Sequence, residues 1–150
     1  MRQHGVRVIV LDYLQLCAAS NERGASNRHH QIEELSRGLK ALAMEQGVTM
    51  IVLSQLNRQV EQRATNRPVL ADLKESGSIE EDADGVILLS RDGASASGTT
   101  LIHAEIAKSR GGRTGFSHLA FEGAVQHWSE TTERPKAPYT PARRRHTEDI

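Results

Sequence analysis

The chain has 150 residues, enough for one compact domain and its core but hardly for two. Its 19 Lys and Arg balance 19 Asp and Glu, which excludes a histone-like cationic protein but leaves room for a local basic groove. One cysteine, Cys17, excludes an internal disulfide and any Cys-rich metal site, and no apolar run approaches the ~18 residues of a membrane span, so a reducing cytoplasm is the expected compartment.

Met1-Arg2-Gln3-His4-Gly5 lacks the apolar core of a secretory signal. Residues 6–11, Val-Arg-Val-Ile-Val-Leu, are β-branched and nearly all apolar, the pattern of a parallel strand buried on both faces, and Asp12 follows at its carboxyl end. Residues 18–30 are small and polar and read as a mobile loop. Ile32, Leu35, Leu39, Leu42 and Ala43 then recur at helical spacing, so a helix is expected over roughly residues 28–46, with Asn27 as N-cap and Gly47 as its stop. Residues 48–53, Val-Thr-Met-Ile-Val-Leu, form a second buried strand and complete a βαβ unit. Residues 57–68 are polar and charged without an apolar period, and 69–84 read as short helical turns ending in Glu80-Glu81-Asp82-Ala83-Asp84. Residues 85–89 are a third strand, followed by a Gly/Ser/Ala-rich connection over 91–100. Residues 101–107 and 116–121 read as antiparallel strands around a turn at 108–115. After Trp128 the pattern stops, and Pro135, Pro138, Pro141 and Arg143-Arg144-Arg145 mark residues 129–150 as a disordered tail.

In open α/β sheets ligands gather beyond the carboxyl ends of the strands. Asp12 ends one such strand, shielded by the apolar run before it, and Ser54 and Gln55 end the next. An acid so placed can hold Mg²⁺, directly or through water, while a nearby amide orients a water or senses a phosphate; the same acid could simply cap a turn. Lys108 and Arg110 alternate on one strand end and point the same way. Two cations at a hairpin tip suit a phosphate, including one held by a neighbouring subunit, and equally suit a solvated hairpin. Arg58, Arg63, Arg67 and Lys74 could track a nucleic-acid backbone or line a solvated loop, and no aromatic platform for base stacking accompanies them. The histidines, His4, His29, His30, His103, His118, His127 and His146, show no ligand spacing with Cys or acids, so no histidine metal site is expected. Cys17 lacks a catalytic partner.

Four motifs occur in order: Val8-Ile9-Val10-Leu11-Asp12-Tyr13-Leu14-Gln15-Leu16; Leu53-Ser54-Gln55-Leu56-Asn57-Arg58; Asp72-Leu73-Lys74-Glu75-Ser76-Gly77-Ser78-Ile79-Glu80-Glu81-Asp82-Ala83-Asp84; and Lys108-Ser109-Arg110-Gly111-Gly112-Arg113-Thr114-Gly115. Over roughly residues 2–128 this series resembles the C-terminal half of the RecA-like motor domain of DnaB-type replicative helicases. The resemblance implies an α/β fold, a partial RecA-like P-loop NTPase core with a mostly parallel sheet and a C-terminal antiparallel hairpin, over residues 1–128, with 129–150 as the tail. It implies ATP and Mg²⁺ as cofactors, with Asp12 as the Walker B acid and Gln55 coupling the γ-phosphate to the DNA loops. Lys108 and Arg110 match the pair that reaches a neighbouring subunit's ATP, Arg110 as the arginine finger. Arg58, Lys74, Glu75 and Gly77 fall in the single-stranded DNA-binding loops; Lys74 replaces the family's usual arginine, keeping the charge but losing the bidentate fork. The implied activity is ATP-driven 5′–3′ unwinding of duplex DNA by a homo-hexamer, with primase and a helicase loader as partners and no membrane.

The departure from the family is that no Gly-x-x-x-x-Gly-Lys-[Ser/Thr] sequence occurs. The family's catalytic glutamate and primase-binding N-terminal domain are also missing. In that fold the P-loop strand lies between the strand ending at Gln55 and the strand at 85–89, so two apolar edges are expected to stand open. Negligible ATPase is expected of the chain alone. Two other readings follow: a non-catalytic truncated subunit that lends its Lys108/Arg110 face to a complete ring, and a decaying or mis-started reading frame.

Overall fold

Two β-sheets, one parallel and one antiparallel, are joined by helices in this chain. A computed structural model describes residues 5–18, 25–63, 66–95 and 98–134, with the backbone alone at 25–28 and 74–77. The expected tail beyond 134, including Arg143-Arg144-Arg145, lies outside the described residues.

The first unit is βαβ. Strand β1 (Val8–Leu11) pairs in parallel with β2 (Thr49–Val52), Leu11 opposite Val52. A single helical turn, α1 (Leu14–Cys17), follows β1, and helix α2 (Ala25–Gln46) makes the crossover. Helix α2 starts three residues earlier than the apolar spacing indicates, so Asn27 lies inside it, while residues 19–24 of the expected loop lie outside the described residues. It stops where expected: Gly47 has φ +62°, the left-handed conformation that glycine adopts at a helix end without a Cβ penalty. Ile32 is buried, and the Leu14 it accompanies in the interior anchors α1.

The expectation that β1 and β2 are buried on both faces is not met. Side chains alternate along each strand, and Val8 and Val10 of β1 and Ile51 of β2 stand exposed, with Leu53 just beyond. The physical reason is coverage: α2 packs on one side of this two-stranded sheet, and among the described residues no second layer closes the other.

The second unit is antiparallel. Strands β3 (Gly85–Ala94), β4 (Thr100–Ser109), β5 (Gly115–Glu122) and β6 (His127–Glu130) pair in chain order. The β4–β5 hairpin confirms the expected antiparallel pair. Strand β3 runs five residues past the expected end at 89, taking in part of the expected connection, because it pairs with β4 along its length. Strand β6 carries ordered pairing past Trp128 to Glu130, through Phe121 opposite Trp128. Those rings stack with centroids 4.5 Å apart, a contact invisible to strand periodicity in so short a segment.

Between the sheets run two 3₁₀ helices, Arg58–Gln62 and Leu70–Ser76, and the short helix α3 (Gly77–Asp82). Leu73 packs with Val86 and Leu88 of β3, and Leu56, Leu70, Ala83 and Ala107 close around them. Alternation on β3 sends Val86 and Leu88 inward and leaves Ile87 and Leu89 exposed. Strands β2 and β3 belong to different sheets and do not pair, as the expected gap between them requires.

Candidate nucleotide- and DNA-facing site

Asp12 and Gln55 reach the same edge because their strands are parallel neighbours. Leu53 N–H donates to Leu11 O at 2.9 Å and Leu14 N–H to Leu53 O at 2.9 Å, so the two strand ends are sewn together just where the functional residues leave them. Gln15 completes the join. Its amide nitrogen donates to Ser54 Oγ at 2.9 Å and to Gln55 O at 3.3 Å, and its oxygen accepts the Gln55 N–H at 3.1 Å. Gln15 is thus a positioning residue that the spacing argument passed over; it lies three places beyond Asp12, and only the parallel pairing reveals its reach to Ser54 and Gln55. Asp12 is exposed, which corrects the expectation that the preceding apolar run shields it: most of that run is itself exposed. Carboxylate, hydroxyl and amide oxygens gathered at one strand edge form a hard donor set that fits Mg²⁺.

Lys108 and Arg110 point the same way, and both turn toward the end of α3. Lys108 Nζ donates to the carbonyls of Glu80 and of Glu81, the latter at 3.2 Å. Arg110 donates from its guanidinium to Asp84 Oδ1 at 3.1 Å and to Glu81 O at 3.2 Å, and from its backbone N–H to Asp84 O at 2.7 Å. Cations at a helix C-terminus meet its exposed carbonyls and the negative end of its dipole. Lys40 of α2 also binds Asp84, and Lys40 first, then Arg110 and Lys108 by their charge, hold the Asp84 carboxyl below the usual carboxylate range. The acidic run at 80–84 is therefore a docking point for the basic hairpin rather than a separate solvated stretch. Ser36, buried on α2, donates to Asp82 at 2.7 Å and fixes α3 against α2.

Arg58 is exposed at the start of the first 3₁₀ helix, whose Asn57 cap accepts from Gln59 N–H at 3.1 Å. Arg63 and Arg67 are not available as backbone-tracking cations. Arg63 donates from both terminal nitrogens to buried Asp72, each at 2.6 Å, and Arg67 pairs with Asp92 at 3.3 Å. Asp72 also accepts Val69 N–H at 2.7 Å, while its own carbonyl accepts Asn57 N–H at 3.1 Å. Lys74 and Glu75 lie on the second 3₁₀ helix and Gly77 opens α3; their side chains lie outside the described residues. The structure also gathers Asp92, His103 and His118, which sequence spacing did not connect. The signal was present in the hairpin: a turn centred between 110 and 111 puts residue 103 opposite residue 118.

Comparison with known proteins shows the family of the chain. A family model described as the DnaB-like helicase C-terminal domain matches residues 1–130. The replicative DNA helicase DnaB of Geobacillus stearothermophilus is 47% identical over 123 residues, covering 80% of this chain and 27% of that protein. The replicative DNA helicase DnaC of Bacillus subtilis is 45% identical over the same length, and the DnaB of Pasteurella multocida 44% identical over 133 residues, covering 87% of this chain. The chain thus spans about 27–28% of the length of these curated relatives. Among solved structures, a DnaB-like replicative helicase studied with its primase interactions superposes with a TM-score of 0.69 at 42% identity, over 81% of this chain and 31% of that one. A second solved structure, an ATPase domain, superposes at 0.74 and 39% identity, over 87% of this chain and 47% of that domain. With these superpositions onto RecA-like neighbours and a family match extending from the first strand through β6, this chain belongs to the DnaB-like helicase C-terminal domain family.

Proposed function

We propose that this chain supplies the Walker B, sensor, DNA-loop and arginine-finger elements of a replicative helicase motor. In the complete assembly, a homo-hexameric ring in the cytoplasm hydrolyses ATP and unwinds duplex DNA 5′ to 3′, working with primase and a helicase loader. The observation that supports this best is the join between β1 and β2, which delivers Asp12 and Gln55 to one edge and locks Ser54 and Gln55 with Gln15.

In this reading Asp12 would hold Mg²⁺, and the bound ion would neutralise charge on the nucleotide phosphates. Gln55, tied through its backbone to Gln15, senses the phosphate end and passes its state along the 57–77 segment. Arg58, Lys74, Glu75 and Gly77 meet the single-stranded DNA backbone on that segment. Lys108 and Arg110 address the neighbouring subunit's nucleotide; their hold on Asp84 and the end of α3 keeps the pair pre-aligned. With no phosphate-cradling Gly-x-x-x-x-Gly-Lys-[Ser/Thr] sequence among these residues, the chain alone is expected to give no turnover above background.

The test is a chimaera in which this chain replaces the matching portion of the Geobacillus stearothermophilus helicase. ATP hydrolysis and unwinding of a 5′-tailed fork are expected, with both lost in Asp12→Ala and Arg110→Ala while the hexamer persists. Removing an arginine finger is expected to lower hydrolysis by roughly 10³-fold or more. A chimaera that assembles but neither hydrolyses ATP nor responds to these substitutions overturns the reading.

A further inference from the structure

On the antiparallel sheet, three metal-ligating side chains converge. His103 of β4 and His118 of β5 are direct cross-strand partners, their rings edge to face with centroids 5.4 Å apart. Asp92 comes from β3. The pairing slips between Arg91 and Gly93, so Asp92 is the extra residue of a β-bulge, without a cross-strand partner of its own, and Gly93 absorbs the distortion at φ +125°. Bulges of this kind re-aim a side chain, here toward the histidine pair. One ligand atom from each of the three residues lies within 4.8 Å of the others.

We propose that Asp92, His103 and His118 form a binding site for a divalent transition metal of borderline softness, Zn²⁺ being the natural occupant, with water or an outside ligand in a fourth position. Two imidazoles and one carboxylate are a common catalytic-type zinc donor set. In a tetrahedral site with metal–ligand bonds near 2.0–2.1 Å, donor atoms sit roughly 3.3 Å apart, so closure takes a contraction of about 1.5 Å, within the reach of side-chain rotation.

Several details favour a site over a packed pair of aromatic rings. Both histidines are buried, at 5% and 7% exposure, and His103 Nδ1 has no hydrogen-bond partner among the described residues. A buried histidine serving only as packing is expected to satisfy both nitrogens. Asp92 divides its oxygens: Oδ1 faces Arg67 at 3.3 Å, and Oδ2 faces His118 Nε2 at 3.8 Å. Glu105 lies 3.8 Å from His103 Nε2, placed to orient that ring as an outer carboxylate does in many zinc sites.

Arg134 is the competitor. It donates to His118 Nε2 and must swing away for the metal to enter. It sits at the rim of a cleft of about 160 Å³ formed with Phe116, Ser117, His118, Thr131 and Thr132, which gives the ion its path and Arg134 room to leave. Phe116, in the wall of that cleft, packs against both rings, its centroid 5.0 Å from His103 and 5.6 Å from His118. The site links β3, β4 and β5 across the sheet.

The experiment is titration of the chelator-stripped full chain with Co²⁺, read by visible absorption, followed by displacement with Zn²⁺. One equivalent is expected to give the intense spectrum of a low-coordinate site, and His103→Gln, His118→Gln and Asp92→Asn are each expected to weaken uptake at least tenfold. His30→Gln and Cys17→Ser are controls expected to bind as the parent does, since His30 lies beside Glu34 on α2 and could hold a metal adventitiously. Uptake unchanged by His103→Gln and His118→Gln, or absence of saturable one-equivalent uptake, overturns the proposal. Should those variants fail to fold by circular dichroism, X-ray absorption of the zinc-loaded parent decides it: two imidazoles with oxygen donors are expected, and a sulfur ligand or fewer than two imidazoles overturns it.

Discussion

Arg63 closes on Asp72 with both terminal nitrogens, two 2.6 Å hydrogen bonds to a carboxylate that is 3% exposed. This pair, not a solvated loop, fixes the polar segment between the sheets, because Asp72 also caps Val69 and its carbonyl receives Asn57 N–H. Arg63 is the main force holding the Asp72 carboxyl below its ordinary 3.8, burial opposing it and the Val69 N–H assisting. A carboxylate lowered in the folded state stabilises the fold above its ordinary range, and that contribution fades as pH falls through the folded value. The melting temperature is therefore expected to hold level above about pH 5 and to drop below 3.8, with Asp72→Asn flattening that acid limb. At neutral pH Asp72→Asn is expected to cost about 2 kcal/mol, roughly 5–8 °C in Tm. Thermal melts at stepped pH check both; a variant as stable as the parent at pH 7 contradicts the assignment.

Asp84 presents the opposite case. It holds Lys40 and Arg110, yet its side chain and that of Arg110 are both well exposed, at 64% and 58%. Exposed ion pairs contribute little to stability because water screens them. Asp84→Asn is expected to leave Tm within about 2 °C of the parent. In the chimaeric ring it is expected to lower hydrolysis several-fold by loosening Arg110, with hexamer formation intact. A large stability loss with unchanged hydrolysis would show that Asp84 braces the fold instead of aligning the finger.

Much of the fold was legible because the deciding signals are local. β-branched runs marked β1 and β2, apolar spacing marked α2, and Gly47 marked its end. The candidate site was legible as residue identities, Asp12, Gln55, Lys108 and Arg110, for the same reason: each sits at a strand end. What sequence could not give were partners fixed by tertiary geometry. Arg63 and Arg67 look alike beside Arg58 until Asp72 and Asp92 are brought to them from other elements. Glu80 to Asp84 reads only as the acidic end of short helical turns until the hairpin folds back on it. The bulge at Asp92 arises from pairing between β3 and β4, so no single-strand pattern announces it.

The open apolar faces make a further expectation. Val10 of β1 and Ile87 of β3 are 61% and 65% exposed, one on each of the two separate sheets. Exposed apolar strands recruit other chains. Sedimentation of the chain alone is expected to show concentration-dependent self-association, and Val10→Thr with Ile87→Thr to shift it toward monomer. Threonine keeps the β-branch, so strand preference survives while apolar area falls. Equal self-association in parent and double variant would place the contact elsewhere.

Gln15 offers the sharpest test of how the catalytic edge is held. Its three hydrogen bonds reach Ser54 Oγ and both backbone groups of Gln55, across 39 and 40 residues of sequence. Gln15→Ala removes all three but adds no charge and leaves the β1–β2 backbone bonds in place. Because Gln55 is exposed, water can replace its lost partners, so the stability cost is expected to be modest, about 1 kcal/mol. The local effect is larger: hydrogen exchange at the Gln55 amide is expected to accelerate about tenfold or more, while that at Leu53, bonded to Leu11, stays slow. In the chimaeric ring kcat is expected to fall more than KM rises, since Gln55 would be misplaced without any loss of the Asp12 carboxylate. Gln15→Glu discriminates further. It keeps an oxygen for the Gln55 N–H but has no N–H for Ser54 Oγ or Gln55 O, so partial recovery of amide protection without recovery of kcat is expected. Unchanged exchange at Gln55 in Gln15→Ala would mean that the parallel strand pairing alone fixes this edge.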